Sequence, residues 1–398
     1  MIPTAGALSA KKALRSASSP VAVLALFCMA HFAVDMYSIA LGVLQPLLLK
    51  QFHLSLTQAG VLGGVLVFSS SVMQPAYGIL SDRFHSRMFT VLAPATAAVF
   101  LCSLGHASSF GALLVMVTLG GAGVAAFHPQ ATANATAGLD TNRGRAMAIF
   151  ISAGTLGLGI GPVYFSLITE RLGLAGAWVG AVPGLIASAV LLVFLRFPVA
   201  NRPRMQFDWP ALRAVWKPLT ILYFLVFIRS IVQVSFAQFL PLYLNLQRNY
   251  TLPEASYLTS AYLLFGALGG FVGGNMADRF GGRQVIIWSM AGSLPFLIAF
   301  VFTTGWLSIA NLIVGGAILL FTIPVNVVMG QELVPSQAGT VSALMMGFAW
   351  GLAGLMFIPL VGWISDHYSM QHAFGGLVVF PILGYFLAVM LPKERTSG

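Results

Sequence analysis

Twelve stretches of this chain are too apolar and too long for a water-soluble fold. They run over roughly 20–49, 55–80, 87–106, 109–137, 145–169, 174–196, 217–246, 254–277, 283–304, 306–330, 338–365 and 370–392, each near the ~20 residues with which an α-helix crosses a hydrocarbon core. No water reaches the backbone there, so each segment has to satisfy its own amides and carbonyls, and a helix does so. The reading is an all-α polytopic membrane protein. Charged residues make up 8% of the 398 positions, against roughly 25% in soluble domains.

An even number of crossings places both termini on one side. Positive loops resist translocation, and with the N-terminus inside, the cytoplasmic set is Lys11, Lys12, Arg15, Arg83, Arg87, Arg143, Arg145, Arg196, Arg202, Arg204, Arg213, Lys217, Arg279, Arg283, Lys393 and Arg395. Lys50, Arg171 and Arg248 fall on the opposite face. The expectation is a multi-pass protein of the cell (inner) membrane with cytoplasmic termini. The net charge of +10 then reflects topology and attraction to anionic lipid, so membrane lipids are expected partners and nucleic acid is not. The run after Lys11, Lys12 and Arg15 begins like a signal peptide, but it is too long and has no small-residue cleavage site, so it reads as a retained helix. Cys28 and Cys102 both lie in apolar runs, where a disulfide is not expected.

The halves of the chain repeat. GILSDRFHSR, Gly78 to Arg87, returns as GNMADRFGGR, Gly274 to Arg283, 196 residues later. Within a residue or two, the same offset pairs Pro46 with Pro241, Pro129 with Pro324, and Pro162 with Pro359. Such internal symmetry is common in transporters. Pro198, Pro203 and Pro210, among basic residues, break the apolar pattern between the halves. The organisation expected is a cytoplasmic tail (1–19), a six-helix bundle (20–196), a cytoplasmic linker (197–216), a second six-helix bundle (217–392) and a tail (393–398).

GILSDRFHSR resembles the helix 2–3 signature of the major facilitator superfamily, and GNMADRFGGR its weaker second copy between helices 8 and 9. GTLGLGIGP, Gly154 to Pro162, is similar to the glycine-rich motif of the family's antiporters. His31-x-x-x-Asp35, the FHP of Phe127 to Pro129, and Gln331 to Gly354 resemble the fosmidomycin-resistance group of drug exporters. That group usually follows FHP with a glutamate, whereas this chain has Gln130, so one carboxylate is missing here. The resemblance implies two pseudo-symmetric six-helix bundles, the major facilitator fold, moving by alternating access.

In the first signature motif, Gly78 allows close helix approach, Asp82 can accept from amides at a facing helix N-terminus, and Arg83 with Arg87 anchors the loop at the inner leaflet. The resemblance implies that Asp82 faces Ser336 to Gly339, and symmetry would place Asp278, followed by Arg279 and Arg283, opposite Arg143 to Arg145. These contacts form a cytoplasmic gate when that side is closed. Gly154, Gly157, Gly159 and Gly161 before Pro162 fit either tight packing or a directional gate.

Intramembrane ionisable groups carry the sharpest functional signal, since a charge at mid-bilayer costs about 2.5–3.5 kcal/mol even on insertion scales. Asp35 lies roughly 22 Å along the first helix at 1.5 Å per residue, and His31 is one turn away on the same face. Asp35 is eleven residues before Pro46 and Arg229 is twelve before Pro241. The repeat therefore sets an acid and a base at nearly equal depth in opposite halves, where they can pair across the midline, with Asp35 as the titrating member; a purely structural buried pair is the alternative. His128 fits a substrate or proton contact, or a helix–helix hydrogen bond. Glu332 fits a gate, or a solvated helix-end acid. Gln45, Gln74, Gln130, Asn134, Gln233, Gln238 and Asn326 are candidate neutral polar groups of a cavity.

The function expected is proton-coupled efflux of a small drug-like or metabolite anion, with proton-coupled import and, behind it, lipid transport as alternatives. No nucleophile elbow, zinc-spaced histidine set or phosphate loop appears, so the chain does not read as an enzyme. Protons are the expected coupling ion, no metal or other cofactor is expected, and a twelve-helix monomer is complete in itself.

Overall fold

The computed structural model describes residues 19–84, 86–139, 141–195 and 208–392, with the backbone alone at Asp82. Among these residues the chain is helical and no strand occurs. Twelve segments follow in order: α1 Pro20–Phe52, α2 Leu56–Ser81, α3 Met88–Cys102, α4 Phe110–Asn134, α5 Arg143–Leu172, α6 Ala175–Phe194, α7 Trp216–Gln247, α8 Leu252–Phe280, α9 Gly282–Phe302, α10 Gly305–Leu333, α11 Pro335–His367 and α12 Met370–Val389. Eleven are long and apolar enough to cross a membrane. The exception is α3, where the apolar run over 87–106 yields only 15 helical residues, because the chain leaves the helix at Ser103 and Leu104–His106 forms a 3₁₀ turn. At 1.5 Å per residue, α3 spans roughly 22 Å of a ~30 Å core.

Short connections make successive helices antiparallel. Gly281 alone joins α8 to α9 at φ 84°, a left-handed conformation that glycine adopts without strain. Ser55 and Gln58 form a reciprocal capping box at the start of α2, and Thr251 and Glu254 form one at the start of α8, so each helix entry has two otherwise orphan amides satisfied. The two caps are again 196 residues apart.

Apolar burial forms two cores. One is built from residues between Val23 and Leu195, the other, apart from Ala59, from residues between Leu219 and Leu391. Residues 1–18, 196–207 and 393–398, which hold most of the expected tails and linker, lie outside the described residues. The remaining linker carries a short helix, Trp209–Ala214, capped by Asp208, which accepts from Ala211 N at 3.0 Å.

The two cores meet where α2 packs on α11, α5 on α8 and α1 on α7. We call the end where α1 begins and α12 finishes the near end. At the far end, a Cβ at Gly60 would lie 2.6 Å from Ile358 O, and one at Gly63 would lie 2.7 Å from Gln238 Cγ. Glycine is what lets these backbones approach. A clasp closes the seam: Asp366, near the end of α11, accepts from Leu56 N at 2.9 Å, Thr57 N at 2.7 Å and Thr57 Oγ1 at 2.5 Å. These are free amides at a helix N-terminus, where a carboxylate is favoured.

At the near end Gly144 and Gly339 have nothing within 4 Å of a built Cβ, and Asp278, Arg279 and Glu332 are exposed. The bundles are therefore closed together at the far end and apart at the near end. Asp366→Asn should weaken an exposed charge-assisted clasp by about 1 kcal/mol, roughly fivefold in the closed-to-open ratio. Spin-label distances between the far ends of α2 and α11 should show the longer population rising; an unchanged distribution would mean that the clasp does not hold the seam.

The signature motifs take a form suited to this open end. Asp278 has no hydrogen bond or ion pair among the described residues, and the side chain of Asp82 lies outside them. Arg83 is exposed. Arg87 donates to Leu195 O and, at 3.2 Å, to Leu192 O; Arg283 donates to Leu391 O and Val389 O, both at 2.8 Å. Each arginine thus satisfies carbonyls in and just beyond the last turn of the sixth helix of its half, and its positive charge suits a helix C-terminus. Gly78 faces Pro129 Cβ, 3.5 Å from a built Cβ, an ordinary packing distance.

Candidate functional site

Two groups of buried polar side chains lie in opposite halves. In the first, Asp35 of α1 sits between two histidines. His31 Nε2 is 3.3 Å from Asp35 Oδ2, and His128 Nε2, on α4, is 3.3 Å from Asp35 Oδ1. The other ring nitrogens face backbone carbonyls: His31 Nδ1 is 2.9 Å from Phe150 O on α5, and His128 Nδ1 is 2.9 Å from Val124 O one turn back on α4. Phe150 also stacks on the His31 ring at 4.2 Å between centroids. Asp35 keeps 13% of its side chain exposed and His128 keeps 22%, so the triad is mostly but not wholly buried.

The glycines of α5 make room for this arrangement. A Cβ at Gly154 would stand 2.6 Å from Asp35 Oδ2. Built at Gly157 it would be 3.1 Å from Met36 N, and at Gly161, just before Pro162, 2.8 Å from Met36 O. The motif is the face on which α1 lies, while Gly159 meets Leu264 of α8 in the other half. Gly154→Ala should overpack the triad by about 1–3 kcal/mol. The expected outcome is normal membrane yield with transport lowered at least tenfold; full activity would show that the triad tolerates displacement.

The ligand atoms of His31, Asp35 and His128 lie within 4.8 Å of one another, a spacing from which a divalent ion could be held by two imidazoles and a carboxylate. The carboxylate meets the two rings through different oxygens, which is also how it would share protons with them.

The second group surrounds Arg229 on α7, which is 4% exposed. Its guanidinium donates to Gln233 Oε1 one turn on and to Ser230 Oγ at 3.2 Å, and it lies 5.6 Å from the Trp350 ring centroid. Arg229 Nε has no partner, and elsewhere in this half the Tyr262 hydroxyl on α8, Gln238 Nε2 further along α7 and the two side-chain polar atoms of Asn326 on α10 are also unpartnered. Tyr262 lies within electrostatic range of the guanidinium. Among the described residues no carboxylate comes within 4.0 Å of Arg229.

The expected Asp35–Arg229 pair is thus not formed here. The repeat sets depth but not direction: the prolines differ by one residue in register, and one residue turns an α-helix by about 100°. Asp35 consequently faces its own bundle. Several neutral candidates are also occupied inside the bundle. Gln45 donates to Ala59 O at 3.0 Å, Gln74 to Ser70 O at 2.9 Å, and Asn134 to Gln130 O at 2.7 Å. Gln130 accepts from Thr90 Oγ1 at 2.6 Å and donates to Ser86 O at 3.0 Å, so the residue after FHP ties α4 to the start of α3. Tyr262 and Trp350 escaped the sequence reading; the hydroxyl-rich start of α8, Ser256 to Tyr262, was the available signal for the first.

A membrane-embedded pair of six-helix units, closed at one end around central polar groups, defines a transporter. The model of the Major Facilitator Superfamily matches residues 23–354 and 222–398, and the chain belongs to that family. It is similar to the fosmidomycin resistance protein of Escherichia coli (strain K12), 28% identical over 99% of this chain and 97% of the relative. It is also similar to an uncharacterized MFS-type transporter, YfnC, of Bacillus subtilis (strain 168), 30% identical over 98% of each chain. Among solved structures, a bacterial homolog of the human lysosomal transporter Spinster, inward-facing and occupied, superposes with a TM-score of 0.81 at 15% identity, covering 96% of this chain and 100% of that one.

Proposed function

We propose that this transporter moves a small organic anion by alternating access, driven by protons, and that it works in the direction of efflux from the inner membrane. The observation that carries the reading is Arg229: a buried guanidinium without a carboxylate partner and with an unpartnered Nε. A buried unpaired charge is costly, and a guanidinium fork suits a carboxylate or phosphonate. The substrate supplies the missing negative charge, with the unpartnered Tyr262 hydroxyl as a further donor.

Protons have a separate place in the triad, which lies in the opposite half from Arg229. The abundance of lysine and arginine at the near end makes that end cytoplasmic, so this open arrangement loads from the inside. The similarity to a fosmidomycin resistance protein favours efflux. Import by symport is a second reading, favoured by one feature: the triad takes up protons without using the donors of Arg229, so that protonation raises the attraction for an anion.

Inverted membrane vesicles distinguish the two with fosmidomycin as the probe. Acid inside should drive accumulation if protons are exchanged for substrate. Accumulation driven only by acid outside would establish symport, and accumulation indifferent to either gradient would defeat proton coupling.

A further inference from the structure

The contacts of the triad fix how many protons it holds. A carbonyl oxygen has no hydrogen to give, so the contacts of His31 Nδ1 with Phe150 O and of His128 Nδ1 with Val124 O, both 2.9 Å, place an N–H on each Nδ1. A neutral imidazole has only one N–H, so each Nε2 would then present a lone pair. Each Nε2 nevertheless stands 3.3 Å from its own oxygen of Asp35. A lone pair held against an ionised carboxylate oxygen is repulsive, and of the groups this chain itself supplies only a proton in each contact makes it attractive.

We infer that the compact triad holds two protons, one in each contact between Asp35 and a histidine, relative to the state with Asp35 ionised and both rings neutral. This rests on the proton-coupled reading above and gives its stoichiometry. The count does not depend on where each proton resides: two imidazolium rings beside a carboxylate, or one beside a carboxylic acid that donates to the other ring, both leave the triad with a net charge of +1.

The neighbouring helices bring no other group that could fill these contacts. On α1 and α5, Tyr37 and Tyr164 both donate to Gly180 O, at 2.8 and 2.9 Å, beside the buried Cys102 of α3. Cys28 is one turn before His31 on α1 and contacts neither the ring nor the carboxylate within ion-pair or hydrogen-bond range. The charges of α5 lie at its ends: Arg143 and Arg145 are exposed at the near end, Glu170 and Arg171 at the far end. α4 brings only His128, and α6 brings no titratable side chain. Arg229, the buried charge of the other half, makes no ion pair or hydrogen bond with the triad.

Loss of the protons leaves each ring a single N–H, which cannot serve both Asp35 and its backbone carbonyl, so each ring gives up one of its two contacts. Proton release therefore weakens the set of contacts by which these rings hold α1 against α4 and α5. Binding and release then act on two distinct arrangements of one bundle, as coupling requires.

Proton uptake by the full chain in lipid nanodiscs tests the count without any substrate, with an indicator dye and a titration from alkaline pH to an end point above the ordinary carboxylate range, so that a third proton is not added to the triad. The wild type should take up two more protons than the His31→Gln, Asp35→Asn, His128→Gln triple variant. His128→Gln alone, which removes one contact, should take up one fewer than the wild type, and it keeps the test open if the triple variant fails to fold. A wild-type excess of one or none, or a His128→Gln protein that binds as many protons as the wild type, overturns the inference. Gradient-indifferent anion flux would instead sink the coupling reading and leave the proton count standing, so the two failures are distinguishable.

Discussion

Asp35→Asn should uncouple the transporter while leaving it folded. The amide has nearly the shape of the carboxylate and can donate to one neutral Nε2, so the packing of His31 and His128 around position 35 is largely kept. It cannot exchange a proton. With no coupling free energy between proton and substrate, the ratio of fosmidomycin flux with and without an imposed pH gradient should fall to about one, while downhill exchange continues. In cells without their own exporters, a susceptibility panel should show the variant protecting no better than an empty vector. Protection equal to that of the wild type would remove Asp35 from the coupling machinery.

Arg229→Gln should have a comparable effect on a different quantity. It deletes the buried positive charge of the second site, and with it the unpartnered Nε proposed to meet an anion. Truncating one partner of a buried charged hydrogen-bonded pair costs about 2–5 kcal/mol, roughly a 30- to 5,000-fold rise in Kd. Arg229→Lys keeps the charge but loses the planar fork, so it should fall between the wild type and the glutamine variant. Scintillation-proximity binding of radiolabelled fosmidomycin reads this directly, at a fixed pH and with no gradient. If Arg229→Gln binds as tightly as the wild type, the guanidinium is a structural element that neutralises no substrate.

The two variants separate the functions of the two sites. On the proposed function, Asp35→Asn should change the dependence on proton gradient with modest change in affinity, whereas Arg229→Gln should change affinity at every pH. A protein in which Asp35 and Arg229 formed a direct ion pair would not separate in this way, because removing either partner would leave the other unpaired.

Much of the fold was legible because a bilayer imposes a simple rule: long apolar runs become helices. The exception, α3, shows where the rule ends, since hydropathy across Ser103 continues while the helix does not. The repeat was legible from the motif copies and prolines, and it extends to details no motif announced, such as the capping boxes at Ser55 and Thr251 and the paired C-terminal caps made by Arg87 and Arg283.

At the site, helical spacing put His31 and Asp35 on one face. Spacing could not bring in His128, which is far away in sequence, because that contact depends on how α4 lies against α1. The cross-midline pairing with Arg229 was inferred from depth alone, and rotation about the helix axis decides partners as much as depth does. The clasp made by Asp366 was silent in the sequence for a related reason: an acid at a helix end near loop residues looks solvated until the opposing helix N-terminus is placed beside it.

The central claim is that protons at the triad and an anion at Arg229 are moved in one coupled cycle. The most direct measurement is to add fosmidomycin to wild-type proteoliposomes in which no gradient has been imposed and to follow internal pH and internal fosmidomycin together. The account predicts that fosmidomycin entry shifts internal pH in the wild type, and that Asp35→Asn vesicles admit fosmidomycin with no shift. Fosmidomycin movement through the wild type at constant internal pH would contradict it.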